Sequence, residues 1–217
     1  MALNNSNLHA SYSSRGVNRD RLDAILTFAG KSILDVGCGS GAYVLKLRDR
    51  YEIKGVDHQR FTTWDDQPEL FSLSDATQLN WADQSVDTIL SFETLEHLDA
   101  PEKALAEYYR VCRQNIILTV PNCSITPGME KSHFLYGTWS DRTHIQFFEM
   151  ESVTELVKRA GFRITHQAYI NKISLFPLID EAFDFSGFLG NQLRKTLLKR
   201  QIRDYYITCL LVGEKSR

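Results

Sequence analysis

Cysteine is scarce. The four thiols among 217 residues, Cys38, Cys112, Cys123 and Cys209, form no C-x-x-C pair and no metal-finger spacing. Cys112 and Cys209 fall in apolar patterns, so the reading is buried free thiols in a reducing cytosol. No apolar run approaches the length of a membrane span, roughly 20 residues. Met1 to Ala10 is polar and lacks the apolar centre of a signal peptide. A cytoplasmic location is therefore expected. Neither sign of charge dominates: the net charge of −2 gives no general pull toward nucleic acid or an anionic membrane. Repeats and low-complexity segments are missing as well.

What is present suits a soluble globular protein. Hydrophobic residues make up 43% and charged residues 24%, and the length fits one α/β domain with a sizeable core. The chain is organised around Ser32-Ile33-Leu34-Asp35-Val36-Gly37-Cys38-Gly39-Ser40-Gly41-Ala42-Tyr43. Ile33, Leu34 and Val36 read as a short buried strand. Gly37, Gly39 and Gly41 let the backbone turn and a ligand approach. Val44, Leu45 and Leu47 open a helix expected over Ala42 to Arg50. A strand ending in glycines before a helix is a nucleotide-type pocket at the carboxyl edge of a parallel sheet.

Before this stretch, Met1 to Val17 reads as a loose polar tail. Asn18 caps a helix to about Ala29, with Leu22, Ile25, Leu26 and Ala29 on its apolar face and Gly30 ending it. After it, Glu52 to Asp57 is a second strand ending in an acid where α/β nucleotide sites grip a ribose diol. His58 to Glu69 reads as a loop or short helix, and a short third strand covers Leu70 to Leu73. Thr88 to Phe92 is the fourth strand, followed by Glu93-Thr94-Leu95-Glu96-His97-Leu98 and a helix from Pro101. That helix is expected to bury Ala104, Leu105, Tyr108, Val111 and Cys112. Asn115 to Val120 is the fifth strand, stopped by Pro121-Asn122.

The spacing G-x-G-x-G, with Asp35 two positions ahead, is not the G-x-G-x-x-G of dinucleotide enzymes. It resembles motif I of the class I S-adenosylmethionine-dependent methyltransferases. The L-E-H-L stretch, a helix ending Tyr109-Arg110-Val111 and a strand ending V-P-N are similar to the small-molecule group of that class. The resemblance runs over about residues 20 to 165. It implies a single doubly wound, Rossmann-like α/β domain over residues 1–217, with a mostly parallel seven-stranded sheet and an antiparallel last strand. It also implies transfer of a methyl group from S-adenosylmethionine to an oxygen or nitrogen of a small molecule. By the same resemblance Asp35, Gly37, Gly39, Gly41, Asp57, Asp75 and Ala76 bind the cofactor. Phe92 and Glu93 then line its methionine end, and residues 1–29 fold over it, with Tyr12 or Arg15 meeting its carboxylate.

His97 and His144 follow the fourth and fifth strands, so either is a candidate base. Glu93, Glu96 and His97 share one face if their turn is helical. With His144 they would form a divalent-metal set similar to that of the small-RNA 2′-O-methyltransferases. A metal-assisted RNA or polyol enzyme is therefore one alternative, although the charge balance offers no RNA footprint. A non-catalytic cofactor-binding module is another.

The irregular stretch Cys123 to Ser140 holds His133, Phe134, Tyr136 and Trp139, in a position where binding residues collect. A helix with Val153, Leu156, Val157 and Ala160 follows, closed by Gly161, and a sixth strand runs over Phe162 to Ile170. Residues 173–203 then separate that strand from the last one, Tyr205 to Val212, where the family has a short hairpin. Phe176, Leu178, Ile179, Phe183, Phe185, Phe188 and Leu189 make its first part apolar, and Arg194, Lys195, Lys199, Arg200 and Arg203 make its second part basic. It reads as a helical cover of the sheet edge, a lid over an apolar or lipid-like acceptor, a dimer surface or a helix resting on a membrane.

Overall fold

The computed structural model describes residues 16–127, 139, 141–173, 187–199 and 205–215. Seven strands form one sheet: β1 Ser32–Val36, β2 Glu52–Asp57, β3 Phe71–Leu73, β4 Val86–Phe92, β5 Cys112–Pro121, β6 Phe162–Ile173 and β7 Tyr205–Lys215. The helices are α1 Arg19–Phe28, α2 Ala42–Leu47, α3 Pro101–Val111, α4 Met150–Arg159 and α5 Gly187–Lys199. The strand order is β3-β2-β1-β4-β5-β7-β6. Strands β1 to β5 pair in parallel, and β7 runs antiparallel between β5 and β6. This is the doubly wound sheet expected, with its antiparallel last strand.

The central strands are apolar on both faces because both faces are covered. Adjacent side chains point to opposite sides. Leu34, Ile89, Ile116 and Leu118 pack with Leu105 and Tyr108 of α3 and with Val153 and Val157 of α4. Ile33, Leu90, Ile117 and Val212 pack with Ile25 of α1 and Val44 of α2 on the other face. Each such buried Leu or Ile contributes about 1.5–3 kcal/mol.

Local signals explain most boundaries. Asn18 caps α1 by accepting from the Arg21 amide at 3.1 Å. Pro101 opens α3, and Gly161, at φ +101°, follows the end of α4. Four expectations need correction. Gly30 does not end α1 in a left-handed conformation; Ala29 leaves the helix extended, and a Cβ on Gly30 would lie 2.4 Å from the Cβ of Asp87. Gly30 is there for close approach. The buried face of α1 is rotated toward Ala24 and Ile25, leaving Leu26 38% exposed. Helix α2 stops at Leu47, short of Arg50. Cys112 belongs to β5, because α3 runs straight into a ten-residue strand. The link from β2 to β3 is two 3-10 turns, Thr62–Trp64 and Pro68–Leu70, in keeping with a loop or short helix. Among the described residues no helix is long and apolar enough to cross a membrane.

Candidate functional site

Parallel pairing brings the carboxyl ends of β1, β2, β4 and β5 to one edge of the sheet, where the glycine turn lies. The amides of Gly37 and Cys38 both donate to the Val56 carbonyl, at 2.9 and 3.1 Å. The glycines differ in purpose. A Cβ on Gly37 would meet Thr94 Oγ1 at 2.3 Å, and one on Gly41 would meet the Phe71 ring at 2.4 Å. A Cβ on Gly39 would have nothing within 4 Å. Gly37 and Gly41 are needed for packing, whereas Gly39 faces open space, the side from which a ligand can reach the backbone.

Two side chains hold the tip of this turn. Asp57 Oδ2 accepts from the Gly39 amide at 2.9 Å, while Oδ1 accepts from the Gln59 amide at 3.2 Å. His58 lies 2.9 Å from the same Oδ1. Trp64 Nε1 donates to the Gly39 carbonyl at 2.9 Å. The Trp64 ring is 1% exposed and stacks on Phe71, with centroids 5.0 Å apart. Sequence reasoning placed Asp57 here and missed Trp64. The signal was a lone tryptophan in an otherwise polar linker.

At the next edge position, Asp75 Oδ1 accepts from the amide and hydroxyl of Thr77, at 2.7 and 2.8 Å. These two bonds hold its carboxyl below the ordinary value. Asp75 is exposed, and Ala76 is half-buried against the core. Both stand just beyond β3, beside the end of β2.

On the other side of the turn lies a denser polar group. Glu93 leaves β4 with φ +54°, a backbone conformation that costs a non-glycine residue about 1–2 kcal/mol. Its carboxylate accepts from Arg21 at 2.5 Å and from the Thr119 hydroxyl at 3.0 Å. The Arg21 guanidinium sits 5.2 Å above the Phe92 ring, which also packs against Tyr43 at 4.9 Å. The Tyr43 hydroxyl accepts from the Asn18 amide at 3.0 Å, tying α1 to this group. Asp35 is 2% exposed; its burial, with help from the negative Asp57, pushes its carboxyl up to about 7, against the pull of Arg21. Asp35 Oδ2 and Arg21 Nε are buried without a hydrogen-bond partner among the described residues.

Arg21 and Tyr43 were not anticipated. Arg21 was legible in principle, since it stands three and four positions before Ala24 and Ile25, the buried pair of α1. Tyr12 and Arg15, read as carboxylate partners, lie outside the described residues, as do His133, Phe134, Tyr136 and the apolar positions Phe176 to Phe185.

The second cluster differs from the expected four residues. Leu95–His97 is a single 3-10 turn, and the left-handed backbone at Glu93 sends that carboxylate to Arg21 instead. Glu96, His97 and His144 do converge, each offering one ligand atom within 4.8 Å of the others. The His97 ring and the two loops are anchored from behind. His97 Nδ1 is 2.9 Å from the Thr143 carbonyl, and His144 Nε2 is 3.7 Å from Asp141. The Glu96 carbonyl accepts from Ile145 and Gln146, at 2.9 and 3.0 Å, which fixes the two segments together. Glu96 is 1% exposed, and burial, then the negative Glu93, raises its carboxyl well above the usual range. The His97 side chain is 38% exposed and that of His144 only 6%.

A family model described as a methyltransferase domain matches residues 11–167. The malonyl-[acyl-carrier protein] O-methyltransferase of Geobacter sulfurreducens is 30% identical over 148 residues, 60% of this chain and 55% of that protein. An O-methyltransferase of Pyrenophora dematioidea is 25% identical over 182 residues, 77% of this chain and 67% of that protein. The chain spans about half the length, 53% and 55%, of the first curated relatives it matches. In fold it is similar to the crystal structure of a SAM dependent methyltransferase from Archaeoglobus fulgidus, with a TM-score of 0.65, 18% identity and coverage of 90% of this chain and 92% of that one.

Proposed function

Because the chain belongs to the methyltransferase-domain family, we propose that it moves the methyl group of S-adenosylmethionine to an oxygen or nitrogen of a small molecule. The observation that carries this reading is a pair of buried polar atoms beside the glycine turn, Asp35 Oδ2 and Arg21 Nε, that have no hydrogen-bond partner among the described residues. An acceptor-only carboxylate suits an ammonium and a guanidinium suits a carboxylate. An amino-acid head carries both. Asp57, at the end of β2, is the residue for a ribose diol, and Asp75 with the Ala76 amide is the pair for an adenine edge. The open side of Gly39 leaves room for backbone approach.

When bound, the cofactor supplies a methyl group made electrophilic by its sulfonium. The chain's own task is alignment in a water-poor pocket. Arg21, which lies over the Phe92 ring, and Glu93, which accepts from it, would hold the methionine end. The acceptor's proton leaves on the side of His97 and His144. The apolar composition of residues 176–189 suits an apolar or lipid-like acceptor.

The test is a calorimetric titration of Asp57→Ala with S-adenosylmethionine. Loss of the carboxylate removes its ribose bonds and its hold on Gly39, so affinity falls ten- to a hundredfold, or about 1.4–2.8 kcal/mol. Unchanged affinity in a folded variant contradicts the assignment.

A further inference from the structure

We propose that Glu96, His97 and His144 form a binding site for one divalent transition-metal ion of the zinc type, set beside the cofactor groove. The three side chains come from two segments, the turn after β4 and the chain leading to α4, and backbone bonds hold those segments in register. The Glu96 carbonyl takes both the Ile145 and the Gln146 amides. The site is therefore built, not a chance meeting of surface groups.

The independent sign of a ligand is the state of Glu96. Its side chain is almost wholly buried, the His97 and His144 rings meet edge to face beside it with centroids 5.0 Å apart, and neither carboxylate oxygen has a hydrogen-bond partner among the described residues. His97 Nε2 is 3.8 Å from Oε1, too far for a hydrogen bond and suited to a shared ion between them. An orphaned buried carboxyl destabilises the fold. A cation bridging it to the imidazoles removes that cost.

The chemistry of the donors selects the ion. Two imidazoles and one carboxylate suit zinc and its neighbours, whereas magnesium and calcium prefer all-oxygen surroundings. His97 also has behind it the oxygen partner that metal-ligating histidines use to fix ring and tautomer, the Thr143 carbonyl at 2.9 Å. With Nδ1 of His97 directed at the Thr143 carbonyl, Nε2 is the atom presented to the cluster. Asp141, which stands behind His144, is itself held by the Thr143 amide and hydroxyl, at 2.9 and 2.7 Å. The partial exposure of His97 gives an entry path and leaves a coordination position for a further ligand.

The experiment uses the whole 217-residue chain without a tag, stripped of metal and titrated with Zn2+ by calorimetry and with Co2+ by visible absorption. One ion per chain is expected, with micromolar or tighter affinity and a cobalt spectrum typical of mixed nitrogen and oxygen ligands. Glu96→Gln and His144→Ala should each weaken Zn2+ by at least tenfold, and Glu96→Gln should raise the melting temperature of the metal-free protein. Asp57→Ala should keep the ion while losing cofactor affinity, which separates this site from the methyl-transfer reading. No binding of either ion to folded wild type, or the same affinity in both variants as in wild type, overturns the proposal.

Discussion

Ionising Asp35 in the folded chain works against its burial. Its carboxyl titrates near 7 in the folded protein and at 3.8 in the open chain, so the folded state holds the extra proton between those values. Stability therefore falls as pH rises through that window, by up to roughly 4 kcal/mol. Asp35→Asn should melt above wild type at pH 8, with the difference vanishing toward pH 4, and should bind S-adenosylmethionine more weakly. Thermal unfolding across that pH range checks this; a wild type that gains stability over the variant as pH rises contradicts it. Trp64 acts at the same scale. Trp64→Phe keeps the stack on Phe71 but loses the bond to the Gly39 carbonyl, so unfolding should cost about 1 kcal/mol less and cofactor affinity should drop several-fold. Neither effect was visible in the sequence, because both depend on what distant segments place beside a residue. Asp57 was visible, since its position at a strand end carries its meaning.

The glycine turn and α1 behave as units. Gly41→Ala forces a methyl group into the Phe71 ring at φ +80°, which should destabilise the fold by at least about 2 kcal/mol. Gly39→Ala, at φ +52° with open space around it, should cost only about 1 kcal/mol of stability while abolishing most cofactor affinity. Urea unfolding and calorimetry on the same two variants separate packing from ligand approach; equal losses in both assays would contradict the division. The strand, turn and helix of this unit could be read directly, because apolar runs and glycines report local conformation. The turn after β4 could not. Helical spacing put Glu93 with Glu96 and His97, and the left-handed backbone at Glu93 sends it to Arg21. For the segment 173–203 the functional reading makes a separate demand. Deleting residues 176–200 should leave S-adenosylmethionine binding intact and remove turnover of the true acceptor, and unchanged turnover would exclude a lid there.

The whole molecule follows from alternation. Strand and helix patterns in turn predict a parallel sheet covered on both faces, and Leu34 against α3, with Ile33 beside Val44 of α2, shows how one strand serves two cores. The antiparallel β7 came from the resemblance; periodicity alone has no direction. The acceptor is the least legible part, because its contacts come from loops whose geometry no short-range pattern encodes. The most direct measurement is calorimetric titration of the wild-type chain with S-adenosylmethionine, S-adenosylhomocysteine and NAD. The account predicts one site in the micromolar range, about −8 kcal/mol, for both sulfur compounds and none for NAD. A folded protein that binds neither sulfur compound, or that prefers NAD, would contradict it.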